Sequence, residues 1–250
     1  MSMRLSRSIV GEAEAEAVRR VIVEDGYLGM GHETCLFEQE LAAYLGVAPE
    51  QVVTTNTGTA ALTLAVDAIA PRDAARKPQI LVPSLTFVAS FQAIEAAGCE
   101  PVACDVLAET GTIDLKDAAR RITPDTLAIM PVHYASNPWH LDEVHAFAKE
   151  HGLRLLQTDP QDFVVPHIVC VRVLDGRKDE LKAALTAAGI PVGVHYKPNH
   201  LLSLFRPAPG SLPLPVTEQL YGELVTLPMH PGLSAADVEH ICDVITATLA

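Results

Sequence analysis

The segment Thr54-Thr55-Asn56-Thr57-Gly58-Thr59-Ala60-Ala61-Leu62 joins a glycine turn to a run of good helix formers, a pattern able to hold an anion. Val52 and Val53 predict a short strand before it, Gly58 permits the tight turn, and Ala60, Ala61, Leu62, Leu64 and Ala65 predict a helix starting near Thr59. The first amides of a helix have no intrahelical acceptor and lie at the positive end of the peptide dipoles. The backbone of Thr59 and Ala60 is therefore placed to take phosphate oxygens. The same residues also read as a plain capped helix with Thr57 supplying the side-chain oxygen, and the turn alone favours that simpler reading.

The elements that must position this turn follow from hydrophobic periodicity. Ala15, Val18, Val21 and Ile22 share one helical face, ended by Gly26 and by Gly29-Met30-Gly31, and Phe37, Leu41, Tyr44 and Leu45 repeat at helical spacing up to a C-cap at Gly46. Apolar runs at Ile80–Val82, Val102–Val106 and Leu127–Val132 then alternate with helices ending at Gly98, spanning Leu115 to Ile122, and spanning Leu141 to His151. Strands without polar alternation, interleaved with helices, predict a parallel sheet covered on both faces. Ligands gather at the carboxyl ends of such strands. That edge would carry the Gly58 turn, Ser84 to Ser90, and His133 to Asn137.

Beyond Gly152 the pattern changes. Leu153 to Leu156 predicts a fifth strand, yet Asp159-Pro160-Gln161-Asp162 follows with no helix. Strands are then expected at Pro166–Val173 and Val192–Tyr196 around a helix from Glu180 to Ala188 stopped by Gly189, with a Pro-rich surface loop from Pro207 to Pro215. A last helix, capped by Ser234 with Asp237 three residues on, would bury Val238, Ile241, Ile245 and Leu249. The expected organisation is α/β: a large domain with a mostly parallel sheet over residues 1–158 and a small C-terminal α/β domain over residues 159–250.

The chain of 250 residues is 49% hydrophobic, enough for a sizeable core, and its formal charge of -13 would repel a nucleic-acid backbone. Met1 to Arg20 has alternating Glu and Ala instead of an apolar signal core, and no run is apolar enough to span a bilayer, so a soluble cytoplasmic protein without nucleic-acid or membrane partners is expected. The five cysteines, Cys35, Cys99, Cys104, Cys170 and Cys242, are isolated and read as reduced small side chains, with no metal site or disulfide framework.

Gly26-Tyr27-Leu28-Gly29-Met30-Gly31 with Phe37-Glu38, Thr57–Leu62, Val82-Pro83-Ser84-Leu85-Thr86-Phe87-Val88-Ala89, Pro101-Val102 with Asp105, Ile122-Thr123-Pro124 and Pro131-Val132-His133 stand in a distinctive order. With Gly189-Ile190-Pro191-Val192-Gly193-Val194-His195-Tyr196 and Leu227-Pro228-Met229-His230, the set resembles the DegT/DnrJ/EryC1/StrS family of sugar aminotransferases, which use pyridoxal phosphate on an aspartate-aminotransferase type fold. The resemblance implies that Gly58, Thr59 and Ala60 form the phosphate cup and that Phe87 lies against the pyridine ring. It implies that His195, Tyr196, Lys197 and His200 face a sugar-nucleotide substrate. An amino-acid donor such as glutamate and a keto sugar nucleotide, used for lipopolysaccharide, O-antigen or antibiotic deoxyaminosugars, are the implied substrates. A homodimer is implied too, or pairing with a full-length homologue, because family active sites form between two chains. Without the resemblance, Phe87 reads as a core aromatic and the His195 to His200 stretch as a solvated loop.

The chain departs from the family in its middle. Asp159 stands one position late for the aspartate that pairs with the pyridinium nitrogen, and one residue on a strand reverses the face. The long block carrying the Schiff-base lysine has no counterpart, and Val164-Val165-Pro166-His167-Ile168 resembles the start of the small domain already. The lysines present, Lys77, Lys116, Lys149, Lys178, Lys182 and Lys197, match no such motif. The expectation is an internally deleted, truncated aminotransferase without transaminase activity, with no catalytic residue assignable. The alternative is a non-catalytic subunit that binds sugar nucleotide or pyridoxal phosphate beside a complete homologue.

Overall fold

The computed structural model describes residues 3–71, 76–137, 146 and 167–249. The expected helix from Leu141 to His151, the expected strand Leu153–Leu156, Asp159 and the 158/159 domain boundary lie outside the described residues, Ala146 excepted. Residues 1–7 with 62–250 form one compact unit and residues 8–61 another.

In residues 8–61, helix α1 (Glu12–Arg20) begins where the Gly11 amide donates to Glu14 (2.7 Å), and it runs into a π-helical turn that ends at Gly26 in the left-handed region (φ 65°). The predicted apolar stripe exists but is uncovered: no residue of α1 is buried, and Val18 and Ile22 are exposed. Helix α2 (His32–Leu45) stops at Gly46 (φ 68°) as expected, and Ala42 is its one buried residue. Val52 and Val53, expected as a strand, are irregular. The entry to the following turn is instead held by Glu38, which accepts from the amide (2.9 Å) and hydroxyl (2.8 Å) of Thr54. Helix α3 (Gly58–Ile69) starts one residue earlier than predicted.

The other unit contains a parallel sheet in the order β2 (Glu100–Cys104), β1 (Gln79–Pro83), β3 (Thr126–Ile129), with Leu81 opposite both Val102 and Ile129. Both faces are covered, as the unbroken apolar runs require. Ile80, Val82 and Ala128 pack with Phe91 and Ile94 of α4 (Ala89–Ala96) and Val66 of α3. Leu81, Cys104 and Ile129 pack on the other side with Ile113 and with Ala118, the latter in α5 (Leu115–Arg121).

A second sheet pairs β4 (Val169–Arg172) antiparallel with a later strand, β5 (Leu224–Leu227). Helices α6 (Lys178–Ala187) and α8 (Ala235–Leu249) cover it through Leu181, Leu185 and Ile241, which pack with Val225 of β5, and Gly189 closes α6 with φ 75°. Between them, α7 (Pro215–Glu223) leads straight into β5. Three expectations need correction here. Val192–Tyr196 is not a strand, because its pairing is a single bridge from Gly193 to Thr226. Pro215 is the first residue of α7, a position suited to its fixed φ and missing donor, instead of the end of a loop. Val238 is 48% exposed, while Ile241 faces the core.

Candidate functional site

At the carboxyl end of β1 the chain is pinned from a distance of more than a hundred residues. The Ser84 carbonyl accepts from the Asn199 amide (3.0 Å) and side-chain nitrogen (3.2 Å), which also donates to the Thr86 carbonyl (2.9 Å). Ser84 Oγ lies 2.7 Å from Nδ1 of His200 and accepts from its backbone amide (3.2 Å), and Nε2 of His200 lies 3.3 Å from Glu218. Burial holds the His200 pKa below the usual imidazole range, against the opposing pull of Glu218. His200, expected at a substrate, is thus buried with both ring nitrogens engaged, and its role here is to lock the 197–201 segment onto β1.

That lock delivers three of the expected residues to one place. Phe87 is 56% exposed, and its ring centroid lies 5.6 Å from that of Tyr196, tilted by 55°. His195 meets Tyr196 edge-on at 4.7 Å. Lys197 follows on the surface. The segments Ser84–Ser90 and His133–Asn137 also meet, through Leu85 and Tyr134 in one buried cluster.

Residues that the motifs do not single out hold His195 from beneath. The Thr226 hydroxyl, almost fully buried, lies 2.9 Å from Nδ1 of His195 and accepts from its backbone amide (3.2 Å). The Tyr134 hydroxyl donates to the His195 carbonyl and also touches Cys170 Sγ (3.3 Å), which in turn lies 3.3 Å from Thr226 Oγ1. Burial first, and the nearby His167 second, depress the His195 pKa. Burial raises the Tyr134 and Tyr196 hydroxyls. These partners come from 31 and 61 residues away in the chain, so spacing carries no signal of them.

The Gly58 turn belongs to the 8–61 unit. Thr57 is its N-cap: Oγ1 accepts from the Ala60 amide (3.0 Å) and its carbonyl from the Ala61 amide (3.1 Å), while the Thr55 hydroxyl donates to the same carbonyl (2.9 Å). The Ala60 donor is therefore already engaged, in the simpler of the two arrangements open to this sequence.

A covalent pyridoxal phosphate site needs an amine beside the cup and ring. Lys77 is 2.8 Å from Glu95, Lys116 is exposed on α5, Lys178 donates to the Tyr221 carbonyl with its ammonium 4.8 Å from that ring centroid, Lys182 lies on α6, and Lys197 is exposed. Lys149 lies outside the described residues.

Solved structures that share this architecture include an aminotransferase, TlmJ, and NtdA. TlmJ from Streptoalloteichus hindustanus aligns with a TM-score of 0.85 at 21% identity, over 99% of this chain and 98% of that one. NtdA from Bacillus subtilis, with bound cofactor PMP, aligns with a TM-score of 0.81 at 14% identity, over 99% of this chain and 87% of that one. The protein thus has the aminotransferase-type α/β fold. A model of the DegT/DnrJ/EryC1/StrS aminotransferase family matches residues 8–161 and again 156–246, and the chain belongs to that family. It is 39% identical over 155 residues to the dTDP-4-dehydro-2,3,6-trideoxy-D-glucose 4-aminotransferase of Saccharopolyspora spinosa, a match covering 62% of this chain and 39% of that protein. It is 33% identical over 154 residues to the spore coat polysaccharide biosynthesis protein SpsC of Bacillus subtilis, covering 61% and 38%. The matched stretch thus spans about two fifths of the length of these curated relatives.

Proposed function

We propose that this chain is a sugar-nucleotide-binding member of the family that has lost transamination. The intact reaction moves an amino group from an amino acid to a keto sugar nucleotide, and the relative named for a dTDP-sugar supports that substrate class. The observation that carries the loss is the placement of the amines: Lys77 is ion-paired, Lys178 is packed over the Tyr221 ring, Lys182 is half-buried on α6, and Lys116 and Lys197 are exposed, so that no described lysine is held in a buried position beside Phe87, His195 and Tyr196. Two family matches meeting at residues 156–161 support an internal deletion at the same place.

Pairing with a second chain, a copy of this one or a full-length homologue, is supported by residues 8–61, where Ile9, Val10, Val18, Ile22, Leu28, Met30, Phe37 and Tyr44 are exposed while Ala42 alone is buried in the helices α1 and α2. A cytoplasmic location agrees with the described residues, among which no helix is long and apolar enough to cross a membrane.

The test is incubation with pyridoxal phosphate, borohydride reduction and peptide mass mapping. No stoichiometric lysine adduct is expected. A stoichiometric adduct at Lys197, or turnover of an amino donor by homogeneous protein, overturns the proposal.

A further inference from the structure

We infer that Thr226 is a positioning residue that holds His195 as the neutral tautomer with its proton on Nε2, so that this N–H donates to an acceptor oxygen of the ligand. The ligand part of this inference rests on the sugar-nucleotide reading above.

Thr226 Oγ1 has one proton to give and three neighbours around it. This oxygen accepts the His195 backbone N–H (3.2 Å) and lies 2.9 Å from Nδ1 and 3.3 Å from Cys170 Sγ. Its one proton goes either to the imidazole nitrogen or to sulfur, and the imidazole nitrogen is much the stronger acceptor. Giving the proton to Nδ1 leaves the thiol proton free to satisfy Thr226 or Tyr134, and the Tyr134 proton is spent on the His195 carbonyl. Every donor in the cluster then has an acceptor. With Nδ1 accepting, the neutral ring carries its proton on Nε2, which has no hydrogen-bond partner among the described residues.

The backbone makes this arrangement rigid. Gly193 and Thr226 exchange both amide hydrogen bonds (3.0 and 2.8 Å), which sets the His195 side chain against a residue that β5 holds 1% exposed. A Cβ at Gly193 would stand 3.4 Å from the His195 ring, in ordinary contact, so the ring lies directly beside the backbone that is bridged to Thr226. His195 then meets the Tyr196 edge, and Tyr196 meets Phe87, so Thr226 fixes one end of a three-ring face.

The test is nitrogen-detected NMR of the His195 imidazole, together with dTDP titration, on the wild-type chain, Thr226→Ser and Thr226→Val. The wild-type and serine proteins should show a pyridine-type Nδ1 and a protonated Nε2, whereas the valine protein should show mixed tautomers and bind dTDP at least tenfold more weakly than the serine protein. Protonated Nδ1 in the wild type, or the same tautomer in Thr226→Val, overturns the assignment whatever the folding of the variant. The assigned tautomer with no dTDP binding by the wild type supports the positioning role and overturns the sugar-nucleotide reading instead.

Discussion

Asp105 caps a helix that begins more than a hundred residues later: its Oδ1 accepts both the amide (2.7 Å) and the hydroxyl (2.6 Å) of Thr217, in the first turn of α7. Its Oδ2 takes the neighbouring Val216 amide (3.1 Å). Helix α7 has no side-chain cap of its own at Leu214, so a carboxylate just past the end of β2 satisfies the amides that would otherwise be orphaned. Asp105 is itself fastened, because its amide donates to the buried Asp117 (2.7 Å), which is paired with Arg121.

Asp105→Asn puts an NH2 group where one of the carboxylate oxygens accepts, leaving a buried donor facing a donor. A loss of about 2 kcal/mol is expected. Urea denaturation followed by tryptophan-independent circular dichroism measures it, and a change below about 0.5 kcal/mol, within the range of an ordinary surface substitution, would show that the cap is dispensable.

Thr57→Val removes the hydroxyl oxygen that accepts the Ala60 amide and should cost the helix start about 1 kcal/mol. Faster hydrogen exchange at Ala60 is the direct readout. If inorganic phosphate restores protection in the valine variant, the turn still works as an anion cradle once its internal cap is gone; if it does not, the turn is only a cap.

His200 makes stability depend on pH. Burial lowers its folded-state pKa, Glu218 and Asp105 oppose that and Arg121 adds to it, so the unfolded chain, titrating near the ordinary value of 6.5, binds the proton more readily than the folded one. Stability therefore rises with pH through this window and is lost as pH falls below the unfolded value. His195 contributes in the same direction. Melting temperatures measured from pH 7.5 down to 5.5 should decline, and His200→Gln should flatten the slope; an unchanged slope would assign the dependence elsewhere.

Short-range signals made much of the fold legible. Glycines that must take positive φ marked the ends of α2 and α6 at Gly46 and Gly189, and continuous apolar runs located β1, β2 and β3 to within a few residues. Helix α7 was obscured because Pro215 closes a run of prolines and also opens a helix, and only the second role leaves Val216 to Glu223 structured. Val52-Val53 and Val192–Tyr196 have strand composition without a partner strand, and pairing, unlike propensity, is settled by the rest of the molecule. The aromatic face of Phe87 and Tyr196 was visible as motif residues. Its supports, Thr226 and Tyr134, and the Ser84–His200 lock were not, since hydrogen bonds between distant loops leave no periodicity to read.

Helices α1 and α2 bury one residue between them, Ala42. A segment with so little interior should not melt cooperatively by itself, since the little apolar burial it loses on unravelling does not offset the chain entropy it gains. Its shape in solution is consequently a readout of company: spectra of that region should sharpen or blur with protein concentration while those of the central strands stay the same.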